Sequence, residues 1–180
     1  LAEDTRLIVP IGEWVLREAI AEAASWPKKL RIAINVSSVQ FQRGNVVSVV
    51  MNALARSNLA PDRVEIEITE SVFFEKSKTN LDALHQLHAL GVKIALDDFG
   101  TGFSALSYLL SYPFDKIKAD GSFVRAIDNA SGAQTIVRAI ADIGHGLGIV
   151  TTAEGIETPA QLRKVHAAGY TEAQGFLISR

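Results

Sequence analysis

The chain has 180 residues, with 18 Lys and Arg against 20 Asp and Glu for a formal charge of −2; 48% of it is hydrophobic, 21% charged and 7% aromatic. This suits one domain with a sizeable core, and excludes a disordered segment, an aromatic-rich recognition surface and the basic balance of a general nucleic-acid binder, so no DNA or RNA partner is expected. Cysteine is absent, which removes disulfide and thiolate chemistry; no apolar run is long enough to span a bilayer, and the chain opens on Leu1 without an initiator Met or a secretory signal, which points to a fragment.

Periodicity predicts a first helix over Gly12 to Ala24, closed by Pro27, and a strand in Arg31 to Ser37 with Ile32, Ile34 and Val36 on one side and Ala33 and Asn35 on the other. A helix near Val46 to Arg56 and a turn at Ala60-Pro-Asp lead to a second strand, where Val64, Ile66 and Ile68 oppose Glu65, Glu67 and Thr69. The helix Leu81 to Leu90 stops at Gly91 and is followed by strand Val92 to Asp97. A short helix Ala105 to Leu110, Pro113, strand Phe114 to Lys118, a loop and helix Gln134 to Gly144 come next. Strand Leu147 to Ala153, helix Ala160 to Ala167 and strand Glu172 to Leu177 complete the series.

Six strands joined by helical connections predict right-handed parallel crossovers. Each strand shows one apolar face and one small or polar face, whereas the central strands of an open doubly wound sheet are apolar on both. A (β/α)8 barrel therefore fits better, with Ile32, Ile34, Ile66, Ile68, Ile94 and Leu96 turned to the helices. Eight strands take about 250 residues, so 180 residues with six strands predict a barrel short of its first two strands.

The strands finish on Asn35, Glu67, Asp97-Asp98, Lys118, Glu154 and Gln174. Parallel strands gather these residues at the carboxyl rim, where barrel enzymes keep their active sites. Carboxylates crowded there with a single lysine call for a cation. Carboxylate and amide oxygens without Cys or clustered His suit Mg²⁺ or Mn²⁺ better than zinc. Asp97 and Asp98 alternate sides while the strand persists, and both can reach metal once it turns into the loop, an arrangement suited to two-metal phosphoryl transfer. The glycines of Gly100-Thr-Gly102 allow a tight turn with exposed backbone N–H groups.

Several of these residues have a second, structural reading. An acidic residue at one strand end can be a helix cap, Lys118 can simply neutralise its neighbours, and Glu70 and Glu157 can either anchor neighbouring groups or serve as cap carboxylates. His85, His88, His145 and His166 have no metal-ligand spacing and read as helix-surface residues, and Trp14 and Trp26 read as core cover. Phe99 and Phe103, beside the aspartates, either pack the loop down or stack on a purine.

Together, Asn35-Val-Ser, Glu67-Ile-Thr-Glu70, Asp97-Asp-Phe-Gly-Thr-Gly102, Lys118 with Asp120, Ala153-Glu-Gly-Ile-Glu157 and Gln174-Gly-Phe resemble the motifs of the EAL family of cyclic di-GMP phosphodiesterases. The resemblance covers nearly the whole chain. It implies a modified (β/α)8, TIM-like barrel, with about six C-terminal strands in this chain, that hydrolyses cyclic di-GMP to linear pGpG with Mg²⁺ or Mn²⁺, two ions in the complete domain, and is inhibited by calcium. By the same resemblance Asn35, Glu67 and Asp97 are metal ligands and Asp98 holds the second ion. Lys118 and Glu154 position and activate the water, with Glu154 as general base. Gln174 supports the water or metal region, Asp120 the metal and water network, Glu70 the loop, and Glu157 the substrate end.

No Glu-Ala-Leu segment, which supplies a further metal ligand in the family, occurs in the sequence. The chain is therefore expected to be a partial EAL domain, residues 1–180, lacking its N-terminal strands and that segment. The resemblance further implies a homodimer, a cytoplasmic domain in a parent protein that can be membrane-anchored, and GGDEF, PAS, receiver or membrane sensory domains outside this chain. The rival expectations are a catalytically silent cyclic di-GMP receptor or regulatory dimerisation domain, a barrel enzyme acting on carbonyl substrates, and an inactive structural fragment.

Overall fold

A computed structural model describes residues 1–73, 78–101, 106–112, 114–128 and 131–179. Gly102, Phe103, Ala105 and Pro113, which figure in the expectations above, lie outside these residues. Contacts divide the chain into two compact units, Leu1–Ala95 with Tyr108–Pro113, and Leu96–Ser107 with Phe114–Arg180.

The first unit contains α1 (Ile8–Ala23), β1 (Ile32–Asn35), α2 (Ser38–Arg43), α3 (Val46–Ser57), β2 (Val64–Thr69) and α4 (Lys78–Ala89), with short 3₁₀ turns at Pro61–Arg63 and Glu70–Phe73. Helix α1 begins a turn earlier than the expected Gly12. Pro10 falls within its first turn, where the backbone N–H has no intrahelical acceptor and proline costs no hydrogen bond. Its face of Leu16, Ile20 and Ala23 is buried against α3, which presents Val50, Ala53 and Leu54. Gly12 is required there because a Cβ would occupy the space of the buried Gln40 side chain. Gln40 in turn accepts the Ser37 N–H through Oε1 at 3.1 Å, fixing the start of α2 immediately after β1. Arg63 ties the end of α1 to the start of β2, donating to Ala23 O and Leu30 O, each at 2.8 Å.

The second unit contains β4 (Lys116–Ala119), α6 (Gly121–Ala126), α7 (Ser131–Leu147), β5 (Val150–Ala153), α8 (Pro159–Ala168) and β6 (Glu172–Ala173). Strand β3 (Lys93–Phe99) begins in the first unit and ends in the second, and the short α5 (Leu106–Leu109) is likewise divided. Helix α7 buries Ala133, Val137, Ile140 and Ala141, a 3.6-residue stripe. Helix α8 starts at a capping box between Thr158 and Gln161, with Pro159 at its first position, and stops at Gly169, whose φ of 97° is left-handed.

Hydrogen bonding orders the strands β1-β2-β3-β4-β5-β6. The β1–β2, β4–β5 and β5–β6 pairs are parallel, with Asn35 opposite Glu67, Lys118 opposite Thr152 and Ala153 opposite Ala173. Parallel strands in chain order with helical connections between them form the fold of a modified (β/α)8, TIM-like barrel, represented here by six strands. The structure differs from the sequence expectation at further places. Two short helices, α2 and α6, occupy segments read as connections, and β6 ends after two residues because Gly175 turns the chain at a φ of 156°. The polar faces of β2, β3 and β4 are buried, with Glu65, Glu67, Asp97 and Lys118 at most 9% exposed, in keeping with strands whose polar side turns inward.

Candidate metal centre

In the second unit, β3 reaches its carboxyl end as Asp97-Asp98. A regular strand would send the two side chains to opposite faces. Asp98 instead has a φ of 53°, in the left-handed region, and its carboxylate lies near that of Asp97. One carboxylate oxygen from each of Asp97, Asp98 and Glu154 lies within 4.8 Å of the others. Glu154 follows β5 directly, its N–H donating to Ala119 O at 3.2 Å, so the backbone of β4 fixes where the carboxylate starts.

Lys118, the third residue of β4, stands between these acids, with Nζ 2.7 Å from Glu154 Oε1 and 3.3 Å from Asp97 Oδ1. Its side chain is 5% exposed, so the pair interactions are little screened by water. The Asp98 N–H also donates to Asp97 Oδ1, at 3.0 Å. Burial, and then the neighbouring charges of Asp97 and Asp120, raise the pKa of Asp98, while Lys118 opposes the shift. Three carboxylates held against one ammonium leave an excess of negative charge. The donors are hard oxygens, and the described part of the cluster contains no His or Cys, so the set fits a divalent cation of the Mg²⁺ or Mn²⁺ type.

The other residues expected at the site are placed as follows. Asp120 is the N-cap of α6 and accepts the Ser122 N–H at 3.0 Å; the hydrogen bond from the Ser122 side chain, aided by that N–H, lowers its pKa against the effect of burial. Gln174 is exposed at its side chain, and its backbone links Ala153 O and the Ile156 N–H at 2.9 and 3.0 Å, bracketing Glu154. Glu157 is exposed at the entry to α8, where its N–H donates to Gln161 Oε1 at 2.8 Å. In the first unit, Asn35 and Glu67 end neighbouring strands in register, Asn35 exposed and Glu67 6% exposed, while Glu70 is buried in the turn after β2. Phe99 is buried and packs as a core residue.

Sequence reasoning missed a second polar layer below this one. Lys116 Nζ lies 2.8 Å from Glu172 Oε2, which also accepts the Thr152 hydroxyl at 3.0 Å. The signal was the two-residue period: Lys116 precedes Lys118, Thr152 precedes Glu154 and Glu172 precedes Gln174 by one full repeat.

A parallel barrel-type fold whose β3, β4 and β5 end on an acid–lysine–acid cluster defines a class of candidate metal-dependent barrel proteins. Within that class, the chain belongs to the EAL domain family, whose model matches residues 1–180. The expectation of an EAL domain lacking its N-terminal portion is thereby corrected, since the match extends over every residue of the chain. The sequence is 48% identical over 178 residues to the uncharacterized protein y4lL of Sinorhizobium fredii, covering 99% of this chain and 22% of that protein. Among solved structures it is similar to the PaMucR phosphodiesterase in complex with c-di-GMP, with a TM-score of 0.95 and 41% identity, covering 100% of this chain and 74% of that one. It is also similar to the manganese and cyclic di-GMP complex of Klebsiella pneumoniae BlrP1, with a TM-score of 0.85 and 33% identity, covering 94% of this chain and 44% of that one. The chain spans between 22% and 31% of the length of eight curated relatives that it matches. Among the described residues no helix is long and apolar enough to cross a membrane.

Proposed function

We propose that the protein carrying this chain hydrolyses cyclic di-GMP to linear pGpG in a reaction that depends on Mg²⁺ or Mn²⁺. The observation that carries this reading is the Asp97, Asp98 and Glu154 cluster bridged by Lys118. The PaMucR and BlrP1 complexes support the substrate, and the manganese in the latter supports the cofactor.

In this reading Asn35, Glu67 and Asp97, with Asp98 for a second ion, are the residues that would hold the divalent metal. Bound divalent ions neutralise the non-bridging phosphate oxygens and lower the pKa of the attacking water. Glu154 accepts the proton of that water, directly or through a second water, while the Lys118 ammonium donates hydrogen bonds to the nucleophile as negative charge develops on it. In-line attack would then break the P–O3′ bond of one phosphodiester: the water oxygen stays on phosphorus in the new 5′-phosphate, and the 3′ oxygen leaves as a hydroxyl on taking up a proton from water. Gln174 supports the region around Glu154, Asp120 and Glu70 hold the adjoining segments, and Glu157 reaches the substrate end. The proposal extends to a homodimer and to GGDEF, PAS, receiver or membrane sensory domains elsewhere in the parent protein.

A second reading is a cyclic di-GMP receptor without turnover. Hydrolysis of cyclic di-GMP measured with Mg²⁺, Mn²⁺ and Ca²⁺, beside binding of the unhydrolysed nucleotide, separates the two. The enzyme reading expects pGpG with Mg²⁺ or Mn²⁺ and loss of roughly 10²-fold or more of turnover in Asp97→Asn with the fold retained. Tight binding with no pGpG under any metal supports the receptor instead, and full turnover in Asp97→Asn contradicts the metal assignment.

A further inference from the structure

Among the described residues three non-glycine positions have positive φ, Arg6, Asn58 and Asp98. Arg6 precedes α1 and Asn58 closes α3, both outside regular structure. Asp98 stands inside β3 and carries a carboxylate of the acidic cluster. The left-handed conformation is unfavourable for an L-residue, although least so for Asp and Asn, so something must hold it.

Thr101 makes two hydrogen bonds to the Asp98 carbonyl, at the exposed turn after β3. Its hydroxyl donates to Asp98 O at 2.9 Å, and its backbone N–H donates to the same oxygen at 3.3 Å. Behind the turn, Gly100 has a φ of 96°, and a Cβ there would lie 3.0 Å from the Phe123 ring of α6, the helix that Asp120 caps. The backbone N–H of Thr101 closes the turn whatever side chain stands there. The hydroxyl is the part that the sequence chose.

We infer that Thr101 is a positioning residue: its hydroxyl latches the Asp98 carbonyl, keeps Asp98 left-handed, and so turns the Asp98 carboxylate to the side of Asp97 and Glu154. Without the latch, Asp98 relaxes towards extended backbone, where strand alternation points its carboxylate to the face opposite Asp97. Phe123 and Gly100 set how closely the turn lies against α6, while Thr101 sets which way Asp98 faces. The inference rests on the proposed function only in taking a divalent ion as the probe of the cluster.

The test compares wild type with Thr101→Val, which keeps the shape and removes the donor, Thr101→Ala, which removes the donor without the valine methyl, and Thr101→Ser, which keeps it. Mn²⁺ binding is measured by calorimetry without substrate, and the crystal structure of T101V is determined without metal. Loss of one net hydrogen bond predicts Mn²⁺ binding weakened roughly fivefold to tenfold in T101V and T101A, and within about twofold of wild type in T101S. The T101V structure is expected to show Asp98 out of the left-handed region. Wild-type Mn²⁺ affinity in T101V and T101A, or an unmoved Asp98 in the T101V structure, overturns the latch. A wild type that binds no Mn²⁺ contradicts the proposed function instead, and the Asp98 conformation in T101V then decides the latch alone.

Discussion

Lys118 is nearly buried, between two carboxylates 2.7 and 3.3 Å away. Removing one partner of a buried ion pair leaves its mate uncompensated, at roughly 3–5 kcal/mol for a dry site. Glu154 keeps 21% of its side chain exposed, so the lower part of that range applies to Lys118→Met, read by chemical denaturation without metal. Asp120 allows a pH test. Its carboxylate is hydrogen-bonded by Ser122 at the start of α6, which together with Arg125 and the Gly121 backbone depresses its pKa below 3.8 despite some burial. A depressed native pKa gives stability that is present above 3.8 and is lost as the pH falls through the native value. Asp120→Ala should therefore cost about 1 kcal/mol at pH 7, with the gap from wild type closing as the pH falls below the usual carboxylate range; an unchanged gap in acid would refute the cap. At this scale the sequence revealed residue types but not backbone angles. Lys118 among acids was legible from its place at a strand end, whereas nothing in Asp97-Asp-Phe-Gly announces that Asp98 is the residue that turns left-handed.

Strand and helix type was legible wherever the apolar period was long, as in β2, α3 and α7. What the period could not show was a helix too short to display it. Helices α2 and α6 have six residues each, fewer than two turns, and their signals were the caps at Ser37-Gln40 and Asp120-Ser122 rather than a stripe. Strand β6 failed in the opposite way, since its apolar residues continue to Ile178 while the close backbone approach of Gly175 to Ile156 ends the pairing. Two glycines of α7 provide a paired test. Alanine in place of glycine within a helix gains up to about 1 kcal/mol. At Gly144, however, a Cβ would overlap the Thr151 methyl of β5, and overpacking costs roughly 1–3 kcal/mol. Gly146 has open space. Gly144→Ala should lower the denaturation midpoint and Gly146→Ala should leave it equal or higher; the reverse order would mean that α7 does not pack on β5 as described.

For the whole molecule, the chain order and parallel direction of the strands were readable because helical crossovers and two-residue alternation are global rules that need no knowledge of contacts. The lower layer of Lys116, Thr152 and Glu172 was missed because its members look unremarkable singly and acquire meaning only from the registers Lys118↔Thr152 and Thr152↔Glu172. The central claim is that the acid–lysine–acid cluster holds a divalent cation. Anomalous diffraction from crystals of the protein grown with Mn²⁺ tests it most directly. A manganese peak at the oxygens of Asp97 and Asp98, beside Lys118 and Glu154 and absent in Asp97→Asn, is the predicted result; manganese bound elsewhere, with Lys118 still closing the space between Asp97 and Glu154, would contradict it.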